Sequence, residues 1–310
     1  MKGIVIKSTG SWYTIRAENG ELLECRIKGK FRMDGIKNTN PVAVGDQISY
    51  ELESELNRGV ITELEPRRNY IIRKSTNLSK QSHIIAANLD QAFLLVTLSS
   101  PRTSTGFIDR FLITAEAYGI PAVLVYSKID FYSEEELVEL QKRINDYEKI
   151  GYPCYEVSAV TGSGVEKLKS VMIGKTTLLS GHSGVGKSTL INILDPALDL
   201  RTGIISEAHS KGKHTTTFAE MFELSSGGFI IDTPGIKEFG MFDMTKEELS
   251  HFFPEMRLLF NQCKYNSCLH LSEPGCAIKK AVDAGEIAAS RYNTYLAIMS
   301  GEELKTVYEK

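Results

Sequence analysis

Residues 178–194 read LLSGHSGVGKSTLINIL: an apolar run, a glycine-rich turn and an amphipathic stretch. The spacing Gly181-x4-Gly186-Lys187-Ser188 within it constrains the fold more than any other feature of the chain. Glycines let backbone N–H groups turn toward one point, which Cβ atoms would obstruct. A strand must deliver such a loop and a helix must leave it, because the helix N-terminus adds partial positive charge toward a phosphate. Gly181, His182, Ser183, Gly184, Val185, Gly186, Lys187, Ser188 and Thr189 therefore form a candidate phosphate site. Lys187 is expected to bridge β- and γ-phosphate oxygens and Ser188 to ligate Mg²⁺. Domains of this kind usually open with the loop, whereas here 177 residues precede the quoted stretch.

Those residues divide by pattern. Within 1–68, GIVIK (3–7), WYTIR (12–16), LLECRI (22–27), QISYE (47–51) and GVITEL (59–64) are short β-branched or alternating runs. Asn19-Gly20 supplies a two-residue hairpin signal between the second and third. Five strands in so short a span suit a small closed barrel of the OB type, and an SH3-like barrel fits almost as well. From about residue 90, apolar strands at 92–98, 121–126, 153–159, 176–181, 218–224 and 227–235 alternate with helices at 107–119, 134–151 and 163–172. That alternation predicts a mainly parallel, doubly wound α/β sheet. The expected domains are 1–68, 75–244 and a helical segment at 245–310.

The nucleotide follows from what stands at the strand ends. Asp232-Thr233-Pro234-Gly235 ends a strand 44 residues after Ser188. There Asp232 can hold Mg²⁺ through water, and the Gly235 N–H can sense a γ-phosphate. Between them KGKHTTTF (211–218) is a switch candidate, with Thr216 preferred over Thr215 and Thr217 as a magnesium ligand. Ser127-Lys128-Ile129-Asp130 and Ser158-Ala159 stand at the C-terminal ends of the strands at 121–126 and 153–159, on the side where ligands bind in this architecture. The Asp130 carboxylate can accept from guanine N1–H and N2–H₂; adenine offers neither donor, so the charge would be stranded. The Lys128 stem can cover the ring, and the Ala159 N–H can reach O6. The nucleotide is expected to be GTP.

With these motifs in place the chain resembles the circularly permuted, small-ribosomal-subunit-dependent GTPase family. The usual GTPase order is phosphate loop, switch, D-x-x-G, N-K-x-D, S-A; this chain runs S-K-x-D, S-A, phosphate loop, switch, D-x-x-G. Lys213-His214-Thr215-Thr216-Thr217 is similar to the family's R-H-T-T-T, with Lys in place of Arg. Ser127 stands where the family carries Asn or Thr. A serine has less reach toward the phosphate loop, so looser nucleotide binding is expected. Ile236 occupies the position at which many GTPases place a water-orienting Gln. His214 is then the leading candidate to position water, with His182 a rival whose side chain is expected to point elsewhere. The resemblance implies binding to the small ribosomal subunit through rRNA, subunit-stimulated hydrolysis as a checkpoint in late maturation, and a monomer. In the permuted order the segment after Asp232-Thr233-Pro234-Gly235 leads directly into 245–310, so hydrolysis is expected to reorient residues 245–310 relative to the barrel.

Near the C-terminus, Cys263-x4-Cys268-x-His270-x5-Cys276 packs three thiols and an imidazole into fourteen residues. That set suits tetrahedral Zn²⁺ with no open position, hence a structural ion; buried reduced thiols are the alternative. Cys25 and Cys154 lie in strands and are expected to be inert core residues. An odd cysteine count, the polar N-terminus and the lack of a long apolar run place the chain in the cytoplasm, with no membrane partner. Net charge is −3 overall but +3 over residues 1–74, including a basic loop (Lys30, Arg32, Lys37) and the segment EPRRNYIIRKS (65–75). This is compatible with a polyanionic partner and equally with scattered surface charge. ASRYNTYLAIM (289–299) suits RNA contact or a satellite helical core. A GTP-regulated RNA-binding module or RNA chaperone, with incidental hydrolysis, shares these motifs. An ATP-dependent kinase or transporter-type ATPase is opposed by Asp130.

Overall fold

A computed structural model of the chain describes residues 1–27, 41–53, 58–74, 82–200, 219–232 and 244–301. Five strands, Lys2–Ser8 (β1), Tyr13–Ala17 (β2), Leu22–Ile27 (β3), Gln47–Glu53 (β4) and Arg58–Leu64 (β5), form the N-terminal barrel. Their order is β1-β2-β3-β5-β4, and β4 pairs back to β1, which closes the ring. Only β3 and β5 run parallel, the arrangement of an OB-type barrel rather than an SH3-like one. Alternation drives it: Val5, Tyr13, Ile15, Leu23, Cys25, Ile48, Tyr50 and Ile61 point inward and pack on one another. Gly59 is required there, since a Cβ would lie 2.4 Å from the Cys25 sulfur. The β2–β3 turn departs from the two-residue loop that Asn19-Gly20 suggests. Gly20 N–H donates to the Ala17 carbonyl and Gly20 takes φ +85°, so the positive φ falls on the residue after a turn centred on Glu18-Asn19.

A hairpin of Tyr70–Lys74 (β6) and Ser82–Ala87 (β7) follows, which the sequence reading does not contain. Then come Gln91–Val96 (β8), Thr105–Ala117 (α1), Ala122–Ser127 (β9), Glu134–Lys149 (α2), Cys154–Val157 (β10), Val165–Ser170 (α3), Thr176–Gly181 (β11), Lys187–Leu194 (α4), Glu220–Glu223 (β12) and Phe229–Asp232 (β13). The sheet order is β10-β9-β8-β11-β13-β12, with β12 alone antiparallel to its neighbour. Every residue of β8 and β9 is buried, as expected of parallel strands covered on both faces. Ala92, Leu94, Val96, Leu124 and Tyr126 meet α1 and α2, while Phe93, Leu95, Val123 and Val125 meet α3 and α4. Each such Val, Leu or Phe side chain contributes about 1.5–3 kcal/mol by leaving water. The chain moves outward from β8 to β10 and then returns to place β11 beside β8. This reversal makes a switch point, and the glycine-rich loop emerges at it.

The C-terminal helices are Lys246–Leu249 (α5), Pro254–Arg257 (α6), Ala277–Asp283 (α7) and Ala289–Ser300 (α8). They share a core of Leu249, Phe253, Met256, Ile278, Ile287 and Tyr295 with Ile113 of α1. Deeper in the same seam, buried Arg291 of α8 donates to Glu255 at 2.7 Å and to Asp109 of α1 at 2.9 Å. Asp109 also accepts from Tyr147 and Thr294. The barrel meets the sheet differently. β1 pairs with β12 at Lys7–Glu220, Ala87 N–H donates to the Val44 carbonyl, and Asn88 donates to the Gly45 carbonyl. Among the described residues, no helix is long and apolar enough to cross a membrane.

Candidate functional site

The phosphate loop turns because its glycines adopt φ of +147° (Gly181), +84° (Gly184) and +100° (Gly186). A Cβ at Gly181 would lie 2.8 Å from the Leu95 carbonyl, so this position demands glycine. Val185 is fully buried among Leu179, Leu190 and Ile191 and pins the loop to the core. Gly186 precedes α4, whose first-turn N–H groups lack partners within the helix and face the loop. Lys187 Nζ donates to the Gly181 and His182 carbonyls at 2.7 and 2.9 Å. Burial lowers its pKa and the Asp232 carboxylate opposes that, a balance that an arriving phosphate would tip toward the charged form. Ser188 is half-buried at the start of α4 and Thr189 is exposed. The exposed residues Ser183 and Gly184 form the outer lip of the loop.

His182 lies against α1, its ring centroid 4.0 Å from that of Phe107. Burial, then Lys187 and Arg110, lower its pKa, so it is a neutral packing group. Its ring is thereby engaged with the α1 side chain Phe107.

The segment Ser127–Asp130 lies beside this loop. Ser127, the last residue of β9, is buried, and its Oγ lies 3.5 Å from where a Cβ on Gly186 would stand. Lys128 takes φ +62°, which turns the chain into a 3₁₀ turn over Ile129–Phe131 with Asp130 exposed on it. Ser158 follows β10; it is buried, and its hydroxyl accepts from the Val160 and Thr161 N–H groups, folding the loop that presents Ala159. Asp232 closes β13, two strands from β8 and next to β11. Four strand ends thus bring Asp130, Ala159, Lys187 and Asp232 to one edge of the sheet. Thr215, Thr216, Thr217, His214, Gly235 and Ile236 lie outside the described residues, as do Lys30, Arg32 and Lys37.

The Cys/His set is assembled as its spacing predicts. The ligand atoms of Cys263, Cys268, His270 and Cys276 all lie within 4.8 Å of one another, and Nδ1 of His270 is 3.7 and 3.6 Å from the Cys263 and Cys276 sulfurs. The Glu273 carboxylate accepts from the Leu269 and Leu271 N–H groups at 2.8 Å, fixing the turn that carries His270. Burial lowers the His270 pKa and favours the neutral, metal-ligating imidazole. Tyr295 and Tyr292 are core residues here, donating to the Leu269 and His270 carbonyls at 2.6 Å. The structure therefore favours the satellite core over RNA contact for these two side chains.

In the basic segment 65–75, two arginines have acidic partners within the molecule. The Arg67 side chain is buried and grips Asp46 with two hydrogen bonds of 2.7 and 2.6 Å, while Arg68 pairs with Asp90. Lys2, Lys7, Arg16 and Arg26 likewise each meet a glutamate. Much of the N-terminal positive charge is thus matched within the molecule. Sequence reasoning missed Tyr132, which no motif marks; its only sequence signal is an aromatic just past the S-K-x-D segment.

The profile of the RsgA GTPase family matches residues 64–242, and that of the RsgA N-terminal domain matches residues 2–61. The chain is 59% identical over 305 residues to the small ribosomal subunit biogenesis GTPase RsgA of Christiangramia forsetii, covering 98% of this chain and 97% of that one. It is 55% identical over 303 residues to the protein of that name from Bacteroides fragilis, with coverages of 98% and 97%. Among solved structures it is similar to YjeQ from Thermotoga maritima, with a TM-score of 0.78 and 36% identity over 97% of this chain and 98% of that one. YloQ, described as a circularly permuted GTPase, gives a TM-score of 0.73 and 30% identity over 97% of this chain and 94% of that one.

Proposed function

Because the chain belongs to the RsgA GTPase family, a circularly permuted group, we propose that the strand ends described above form its guanine and phosphate site and that its GTP cycle is read out on the small ribosomal subunit. The chain is a GTP hydrolase of small ribosomal subunit biogenesis. Permutation keeps the three-dimensional site while changing chain order, so the base-reading half precedes the phosphate loop. The observation that carries the reading is the meeting of the two halves, with Ser127 Oγ 3.5 Å from the Cβ position on Gly186.

In this reading Asp130 accepts from guanine N1–H and N2–H₂, Lys128 covers the ring, and the Ala159 N–H donates to O6. The loop Gly181–Ser188 cradles the phosphates and Lys187 neutralises their charge. Ser188, Thr216 and Asp232 would hold Mg²⁺, which supplies electrostatic stabilisation of the phosphates when bound. His214 positions the attacking water, and a partner completes a site that by itself turns over slowly. The partner is the small subunit, bound through rRNA, with release after hydrolysis serving as a late-maturation checkpoint. Cys263, Cys268, His270 and Cys276 fit a structural Zn²⁺, since three soft thiols and a neutral imidazole are gathered around one point.

Competition of GTP against ATP, together with turnover measured with and without small subunits, tests this. A strong preference for GTP and a turnover that rises on subunit addition are expected. Equal affinity for the two nucleotides overturns the guanine assignment, and unchanged turnover overturns the checkpoint. His214→Ala is expected to abolish the stimulated rate and to leave nucleotide affinity within about twofold.

A further inference from the structure

Residues 98–104, LSSPRTS, connect β8 to α1 and carry none of the GTPase motifs. They nevertheless touch both halves of the site. The segment is closed on itself at its base: Thr103 N–H donates to the Thr97 carbonyl at 2.8 Å, and Thr97 N–H donates to the Thr103 hydroxyl at 3.2 Å. The Thr97 hydroxyl also donates to the Pro101 carbonyl. On one side the Pro101 ring comes within 3.6 Å of the position a Cβ on Gly184 would take, against the phosphate loop. On the other side the Ser100 carbonyl accepts from Lys128 Nζ at 2.7 Å. The segment is therefore a strap between the phosphate loop and the base-reading segment.

Tyr132 fastens that strap. Its ring is buried in the α1–α2 core, and its hydroxyl stands between two backbone groups. It accepts from the Leu98 N–H at 3.0 Å and donates to the Ser127 carbonyl at 2.7 Å. One oxygen thus joins the first residue of the strap to the last residue of β9, at the point where the chain enters Lys128 and Asp130. A core tyrosine needs some partner for its hydroxyl. Here the two partners belong to the two segments whose separation fixes the site.

We propose that Tyr132 is a positioning residue for nucleobase selectivity, setting the distance between Asp130 and the phosphate loop through the strap Leu98–Pro101. This rests on the reading of Asp130 as the guanine acceptor. It also answers the expectation of looser binding drawn from Ser127. The link that a longer side chain at position 127 would make is supplied by the Tyr132 hydroxyl and the Lys128–Ser100 bond.

The test uses GDP and IDP, which differ only by the 2-amino group that Asp130 would read. Their dissociation constants are measured by competition on the full-length protein and on Tyr132→Phe, with pyrophosphate as a probe of the phosphate loop alone. The wild-type chain is expected to prefer GDP by about tenfold or more, the range of a charge-assisted hydrogen bond. In Tyr132→Phe that preference is expected to shrink at least threefold, with pyrophosphate affinity unchanged within twofold. Both nucleotides are read on one sample, so partial unfolding cancels in their ratio. Ser127→Asn, a second variant, is expected to tighten GDP by less than twofold because the link already exists. A wild-type chain that binds GDP and IDP alike overturns the guanine reading and the proposal with it. A wild-type preference that Tyr132→Phe leaves intact, or a tenfold gain in Ser127→Asn, overturns the proposal alone.

Discussion

The barrel and the C-terminal helices are attached to the same nucleotide-binding sheet by opposite means. The barrel's seam is written in backbone: β1 pairs with β12, Ala87 N–H donates to the Val44 carbonyl, and Gly45 brings its Cα against Ala87 so closely that a Cβ would lie 2.1 Å from that carbonyl oxygen. The helices' seam is written in side chains, with Arg291 of α8 held between Asp109 of α1 and Glu255 of α6. A backbone seam tolerates most substitutions and fails where the main chain itself must pass. A side-chain seam concentrates its cost in one residue. The difference also bears on motion. A buried three-charge network resists sliding, so the helical segment is expected to move with α1, and any nucleotide-driven reorientation between it and the barrel falls on the β1–β12 side.

The largest effect is expected from Arg291→Met. It leaves two carboxylates buried without their cation, and orphaning a buried charge of this kind costs about 3–5 kcal/mol. Urea unfolding followed by tyrosine fluorescence should show the midpoint fall accordingly. Replacing Asp109 and Glu255 in the same chain by apolar residues of similar volume, with Tyr147→Phe to remove the hydroxyl that Asp109 accepts from, should recover part of the loss, because it removes the stranded charges. Next comes Gly45→Ala in the barrel seam. Gly45 has φ +88° and no room for a Cβ against backbone, so a loss of about 1–3 kcal/mol is expected by the same measurement. If the glycine change costs more than the arginine change, the ranking of the two seams is reversed.

These two seams also mark what the sequence reveals and what it hides. The phosphate loop, the S-K-x-D segment and the Cys/His set are legible because their chemistry depends on spacing within a dozen or so residues. The barrel strands are legible because alternation is itself a local pattern. Asp109 and Arg291 lie 182 residues apart, and each reads alone as an ordinary solvated charge. Only a fold that buries both can reveal the pair. The β6–β7 hairpin was hidden for a related reason. Its apolar residues Ile71, Ile72 and Ile84 sit among arginines and lysines, and Arg67 and Arg68, just ahead of it, look like free positive charge until Asp46 and Asp90 are seen beside them. Tyr132 was hidden because positioning through a hydroxyl and two backbone groups leaves no residue pattern.

The smallest expected effect sharpens the comparison most. Arg16 reaches from β2 of the barrel to Glu223 at the end of β12 with two hydrogen bonds of 2.7 Å, a geometry as good as that of any buried pair here. Its side chains remain 28% and 49% exposed, so water already solvates both charges and the pair gains little on forming. A double-mutant cycle with Arg16→Ala and Glu223→Ala is expected to give a coupling of about 0.2–1 kcal/mol. The cycle is needed because Arg16 also lies over the Phe229 ring at 5.8 Å, a contact that Arg16→Ala removes on its own account. In 1 M salt, where the screening length shrinks to about 3 Å, the coupling should fall toward zero. A coupling above about 2 kcal/mol that survives salt would mean that side-chain charge carries the barrel seam after all, and that the two attachments differ in place rather than in kind.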